Sequence, residues 1–169
     1  KSIKKINYKT ILKNINLNPN KPFVILTYHP VTLEFRYSIK DQFNNVIKAL
    51  KNTEYQVVIT SPSIEVGRNE IMDIIYKTVN EDKNFVYVKS LGYNFLFNLI
   101  PFCEFFIGNS SCGIIEVPYF SKPSINIGDR QKGRYCHASV INTDYTYKSI
   151  KKGITKSLNK NFIRKINKM

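Results

Sequence analysis

The chain has 169 residues, enough for one domain with its own hydrophobic core. Its Lys and Arg outnumber its Asp and Glu by 26 to 12, a net charge of +14, yet the excess is nearly all Lys and collects at the two ends, Lys1–Lys21 and Lys148–Lys168. With no RRM, KH, zinc-finger or helix-turn-helix signature beside it, and with so much Asn and Ile, it reads as coding bias and excludes a specific nucleic-acid partner.

No 18-residue apolar run is present, so no membrane span is expected. Lys1-Ser2-Ile3-Lys4-Lys5 has no apolar stretch behind it to make a signal peptide. A chain that opens on Lys instead of Met is expected to be a fragment or a processed form. Cys103, Cys112 and Cys136 form no CxxC pair, and three thiols cannot close a disulfide framework, so a cytoplasmic location is expected. His29 and His137 lack metal-ligand spacing; neither a metal nor a cofactor is expected.

In chain order, residues 2–17 predict an amphipathic helix with Ile3, Ile6, Ile11, Ile15 and Leu17 on one side. Asn18-Pro19-Asn20-Lys21-Pro22 ends it. Phe23 to Tyr28 predicts a buried strand, followed by a helix from Leu33 to Leu50. Tyr55–Thr60 predicts a second strand, Asn69–Val79 a helix, Phe85–Val88 a third strand and Tyr93–Phe102 a short helix. A fourth strand comes at Phe105–Ile107, a helix after Ser111, and a fifth strand at Ser124–Ile127. A sixth strand at Ser139–Asn142 leads to a helix over 147–158. The Lys/Asn-rich tail after Leu158 is expected to fray or to need a partner surface. Strand and helix alternate throughout, which predicts an α/β fold: a Rossmann-like three-layer α/β/α domain with a parallel sheet. Its strand-end loops would carry His29, Glu65, Tyr93, Asn109–Ser111 and Arg130 on one edge.

The most informative stretch is Phe105–Arg134. An apolar strand breaks at Gly108-Asn109-Ser110, and Ser111-Cys112-Gly113 opens a helix. The first turn of a helix carries N–H groups with no intrahelical partner and the positive end of the dipole, which suits phosphate. Gly108 and Gly113 would let a ligand approach the backbone. Read alone, Ser110 and Ser111 are more simply helix caps. The surrounding Glu116, Arg130, Gln131 and Arg134 favour a binding site, since a carboxylate idle among Ile114, Ile115 and Val117 would be costly to bury. Cys112, at a helix start, invites a lowered pKa, but no neighbouring His or Asp would activate it. Arg134 reads almost as well as a solvated surface charge, and Tyr93 as a core aromatic.

Three blocks in order, His29-Pro30-Val31-Thr32, Gly108-Asn109-Ser110-Ser111-Cys112-Gly113 with Glu116, and Ile125 through Arg134, resemble the hydrolysing UDP-N-acetylglucosamine 2-epimerases of sialic and legionaminic acid synthesis. The resemblance runs from Pro22 to Leu158. It implies the C-terminal half of a two-domain GT-B enzyme, whose N-terminal half, bearing the catalytic carboxylates, has no counterpart in these residues. It further implies UDP or UDP-N-acetylglucosamine as ligand, and a homo-oligomer when the enzyme is full length. As implied roles, His29 and Arg130 are catalytic, and Ser110, Ser111 and Gly113 hold the diphosphate. Glu116 takes the ribose hydroxyls, Tyr93 lies against uracil, and Arg134 closes the loop. One departure stands out: where relatives often read Asn-x-Asp-x-Gly, this chain has Ser63-Ile64-Glu65-Val66-Gly67, which points to a different sugar. The expected function is conversion of UDP-N-acetylglucosamine to N-acetylmannosamine plus UDP, with this half inactive by itself. The alternatives are the donor domain of a GT-B glycosyltransferase and, last, a polyanion-binding module resting on the +14 charge.

Overall fold

The computed structural model describes residues 3–32 and 36–168. Among them the strands β1 (Phe23–Thr27), β2 (Gln56–Thr60), β3 (Phe85–Val88), β4 (Phe106–Gly108), β5 (Ser124–Ile127) and β6 (Val140–Thr143) form one sheet. Every pairing is parallel, and the strand order is β3-β2-β1-β4-β5-β6. This is the doubly wound order, in which the chain runs outward from the centre in both directions.

The strands read as apolar runs because both faces are covered, the usual condition of a parallel sheet. Successive side chains go to opposite sides. Val24, Leu26, Val57, Ile59, Ile107, Ile125 and Ile127 join one buried cluster, whereas Phe23, Ile25, Val58 and Phe106 join the other. The first cluster is roofed by α2 (Ile39–Lys51), α3 (Arg68–Glu81) and α6 (Tyr147–Ser157), through residues such as Phe43, Ile75 and Ile154. The second is covered by α1 (Tyr8–Asn14), α4 (Gly92–Leu99) and α5 (Cys112–Tyr119), through Ile11, Leu99 and Val117. The three-layer α/β/α fold read from the alternation is therefore the one formed.

Local chemistry sets the helix ends and moves several predicted boundaries. The first helix starts only at Tyr8, where the Asn7 side chain accepts from the Lys9 N–H. Ile3 and Ile6 precede it, and Ile3 is exposed. The second starts at Ile39 because Ser38 caps it, its hydroxyl accepting from the Asp41 N–H at 3.0 Å. The predicted start at Leu33 lies outside the described residues, as does Ser2. Tyr93–Phe102 divides into α4 and a 3-10 turn, Ile100–Phe102, with Pro101 inside it. The tail departs most from expectation: it does not fray but forms α7 (Lys160–Ile166). Asn159 caps it by accepting from the N–H groups of Asn161 and Phe162, and Ile166 is buried as the helix packs on α6. Buried Ile166, half-buried Phe162 and Ile163 and the Asn159 cap order a segment whose composition alone suggests solvent.

Candidate functional site

Strands β1 and β4 lie side by side at the centre of the sheet, and their outgoing connections diverge, β1 toward β2 and β4 toward β5. The loops after them part and leave a crevice, the usual ligand position in such sheets. Gly108 ends β4 at φ +144°, and a Cβ there would overlap the carbonyl oxygen of Thr27 on β1. Glycine is thus demanded by the close approach of two backbones.

Beyond Gly108 a polar clamp ties three loops together. Asn109 is fully buried. Its Oδ1 accepts from the His29 N–H at 2.7 Å, and its Nδ2 donates to the His29 carbonyl at 2.8 Å. The carbonyl of Asn109 in turn accepts from Gln131 Nε2 at 2.8 Å, with Gln131 itself 3 % exposed. The loops after β1, β4 and β5 are therefore cross-linked by side-chain amides, with the Gln131 Oε1 left buried and without a hydrogen-bond partner among the described residues. The His29 ring is held separately, its Nδ1 accepting from the Ser63 N–H of the loop after β2 at 3.0 Å. Burial, then the Arg130 guanidinium, depress the His29 pKa below its ordinary 6.5; the Glu65 carboxylate opposes them.

The α5 start differs from a capped helix. Ser111 stands at the cap position with helical backbone and makes no side-chain cap bond. Ser110 Oγ accepts from the Cys112 N–H at a long 3.4 Å, while the N–H groups of Gly113 and Ile114 turn back onto Ser110 and Ser111 carbonyls. Among the described residues nothing accepts from the N–H groups of Ser110 and Ser111. Two open donors beside a third weakly engaged one make a concavity suited to an anion. Gly113 has a packing reason: a Cβ there would press on Ser124 Oγ and the Phe106 ring. Glu116, half-buried one turn further on, has an Oε2 that is buried with no hydrogen-bond partner among the described residues.

Cys112 corrects a sequence expectation. Burial first, and then the Glu116 carboxylate, push its thiol up to about 12 instead of down. Desolvation and a neighbouring negative charge both oppose the thiolate at Cys112.

Two cavities flank the clamp. One, of about 350 Å³, is lined by Thr27, Thr60, Lys89, Tyr93, Ser110 and Cys112, among others. The other, of about 340 Å³, is lined by Pro30, Thr32, Glu65, Asp129, Arg130 and Tyr145, with Val31. Arg130 donates to Glu65 at 2.9 Å across the second cavity. That partly exposed pair adds about 0–1 kcal/mol, and its effect is to position the guanidinium. Gly128, at φ +69°, lets the Asp129 N–H reach the Tyr145 hydroxyl at 3.0 Å.

The structure thus gathers His29, Ser110, Tyr93 and Arg130 on one edge. Ser111, at the cap of α5, and Glu116 within it line neither cavity, and nor does His29. Arg134 is exposed in the loop after β5 and also lines neither. Sequence reasoning missed Lys89, which follows the last residue of β3 and reaches the first cavity. Its place directly after a parallel strand was the available signal. Also missed was the 2.7 Å contact between the Thr27 and Thr60 hydroxyls at the ends of β1 and β2. Among the described residues no three His, Cys, Asp or Glu come together to hold a metal ion, and no helix is long and apolar enough to cross a membrane.

A doubly wound parallel sheet with clamped loops and an open helix start at its switch point defines a Rossmann-like domain of the kind that takes a ligand at its strand ends. Residues 1–169 match the UDP-N-acetylglucosamine 2-epimerase family, and the chain belongs to it. A UDP-N,N'-diacetylbacillosamine 2-epimerase (hydrolyzing) of Legionella pneumophila is 32% identical over 160 residues, 92% of this chain and 42% of that protein. Polysialic acid biosynthesis protein P7 of Escherichia coli is 36% identical over 149 residues, 85% of this chain and 37% of that protein. The crystal structure of UDP-GlcNAc 2-epimerase from Neisseria meningitidis bound to UDP-GlcNAc has the same fold, with a TM-score of 0.64 at 15% identity over 94% of this chain and 41% of that one. The chain spans about two fifths of the length of the curated relatives it matches.

Proposed function

We propose that this chain is the UDP-binding half of a hydrolysing UDP-N-acetylglucosamine 2-epimerase with GT-B architecture. The observation that carries the reading is the pair of open N–H groups at Ser110 and Ser111, set at the switch point of a chain in this family. In the parent reaction the sugar loses its C2 proton and the bond from C1 to the diphosphate oxygen breaks, giving a glycal and UDP. Water then adds across the double bond, restoring a C2 hydrogen with inverted configuration to give N-acetylmannosamine.

This half works on the leaving group. The backbone donors and the Ser110 and Ser111 hydroxyls take the diphosphate at the helix start, with Gly113 keeping α5 close to the sheet. The Tyr93 ring receives uracil, and Glu116 accepts hydrogen bonds from the ribose hydroxyls. His29 and Arg130 bracket the sugar-phosphate bond, and Arg134 closes over the ligand from the loop after β5. The second cavity, with Arg130 and Glu65, receives the sugar. Its Glu65-containing loop suits a sugar modified at C4 or C6, in keeping with the name of the Legionella relative. Proton removal and return belong to carboxylates of a partner lobe of the same polypeptide. The assembled enzyme is a cytoplasmic homo-oligomer, a setting that suits three free thiols.

Titration calorimetry of the chain with UDP is expected to give weak binding without turnover of UDP-N-acetylglucosamine, and hydrogen exchange at residues 110–116 should slow on adding UDP. Absence of both heat and protection would remove the site. Release of free N-acetylmannosamine by the full-length protein supports the epimerase reading; a product that forms only with an acceptor would make it a glycosyltransferase.

A further inference from the structure

We propose that His29 is locked as a neutral imidazole with its proton on Nε2, so that it meets an anionic ligand as a fixed hydrogen-bond donor and carries no proton during the reaction. The identity of the ligand rests on the function proposed above; the lock itself does not.

The argument begins with a donor that cannot change roles. The Ser63 backbone N–H points at His29 Nδ1 from 3.0 Å. A peptide N–H only donates, so Nδ1 must present its lone pair, and the single proton of the neutral ring falls on Nε2. Protonating Nδ1 would set N–H against N–H and strip Ser63 of its acceptor. The alternative, a ring flip, would put the Cδ2–H where Nδ1 stands and leave the Ser63 N–H without an acceptor. Asn109 holds both the N–H and the C=O of His29, and the Gln131 amide fixes Asn109 in turn. Three hydrogen bonds from two loops thus hold the backbone and ring of His29, and a fourth, from Gln131, holds Asn109.

The charged groups facing the ring act in the same direction on balance. Arg130, from the loop after β5, opposes a second positive charge. Glu65, from the loop after β2, would favour one, but its carboxylate is already engaged by Arg130 at 2.9 Å. Partial burial disfavours the imidazolium further. A neutral donor placed beside a diphosphate strengthens as charge gathers on the leaving oxygen, and needs no protonation event to do so.

Two measurements test the lock. Long-range 15N correlation spectra of the chain, with His29 assigned through H29Q, are expected to show an unprotonated Nδ1 and a protonated Nε2 from about pH 8 down to about pH 6. A protonated Nδ1, an averaged pair of tautomers, or a ring already charged near pH 6.5 would overturn it. UDP affinity is then compared in wild type, H29A and H29Q from about pH 5.5 to about pH 7.5. Gln keeps a donor but cannot carry the imidazolium charge, so H29Q should recover most of the roughly tenfold affinity that H29A loses. The ratio of wild type to H29Q should stay flat with pH, because titration of UDP itself cancels. A ratio that rises as pH falls would show that a charged His29 binds, and would end the proposal. Should UDP fail to bind at any pH, the proposed function falls, while the nitrogen spectra still decide the tautomer.

Discussion

Two concave surfaces of this domain invite comparison. The groove between α6 and α7 encloses about 730 Å³, more than either cavity at the strand ends, and presents Lys148, Lys151, Lys152 and Lys156 around the Tyr147 and Phe162 rings. Yet two of its cations lean on the aromatic faces: Lys151 stands 6.0 Å from the Tyr147 centroid, which Lys48 of α2 also approaches at 5.1 Å, and Lys156 stands 5.5 Å from that of Phe162. Each is a flexible, solvated side chain with many alternatives. The β1–β4 edge holds fewer cations, Lys89 and Arg130, but its amides Asn109 and Gln131 are buried, oriented by one another and fixed to the backbone. Preorganisation of this kind gives a dipole leverage that a larger number of mobile ammoniums lacks. The net charge of +14 therefore says little about the β1–β4 edge.

Substitutions should separate the two surfaces sharply. The largest effect is expected from G108A, which forces a Cβ into the Thr27 carbonyl at a backbone angle that only glycine tolerates. Urea unfolding should register a loss of about 3 kcal/mol or more. Next comes N109A, which orphans the N–H and C=O of His29 and should cost about 2–4 kcal/mol by the same measurement. N109D keeps the acceptor for the His29 N–H but sets a buried carboxylate oxygen against the His29 carbonyl, and at neutral pH should cost at least as much as N109A.

A smaller effect is expected from pH. The folded His29 titrates below its unfolded value of about 6.5, so the unfolded chain binds more protons. The contribution is fully present above pH 6.5 and is lost as pH falls below it. Melting temperature should decline between about pH 7 and about pH 5.5, and less steeply in H29Q. Smallest of all, K151Q with K152Q should change stability by no more than about 0.5 kcal/mol and leave UDP binding unaltered, while weakening retention on heparin at low salt. A loss of UDP affinity in that double variant would erase the distinction between the two surfaces.

Most of the architecture was legible along the chain. Strands rich in Ile, Val and Phe, separated by punctuated amphipathic stretches, indicated a parallel sheet covered on both faces. The break at Gly108-Asn109-Ser110 marked the end of β4 beside β1. Less legible was the tail, because a helix docked through Ile166, with Phe162 and Ile163 half-buried, and capped by Asn159 leaves little periodic signal over seven residues. Cys112 misled for a related reason: its position at a helix start is local, but the burial and the Glu116 carboxylate that set its pKa are not.

By itself, then, the sequence determined the elements, the alternation and the candidate turn, since periodicity and turn chemistry act between residues a few positions apart. Only the tertiary structure decided that β1 and β4 are neighbours, that Asn109 reaches His29 across 80 positions, and that Ser63 dictates which ring nitrogen keeps its lone pair. Those outcomes depend on contacts between distant segments, which exist only once the sheet has brought its strand ends together.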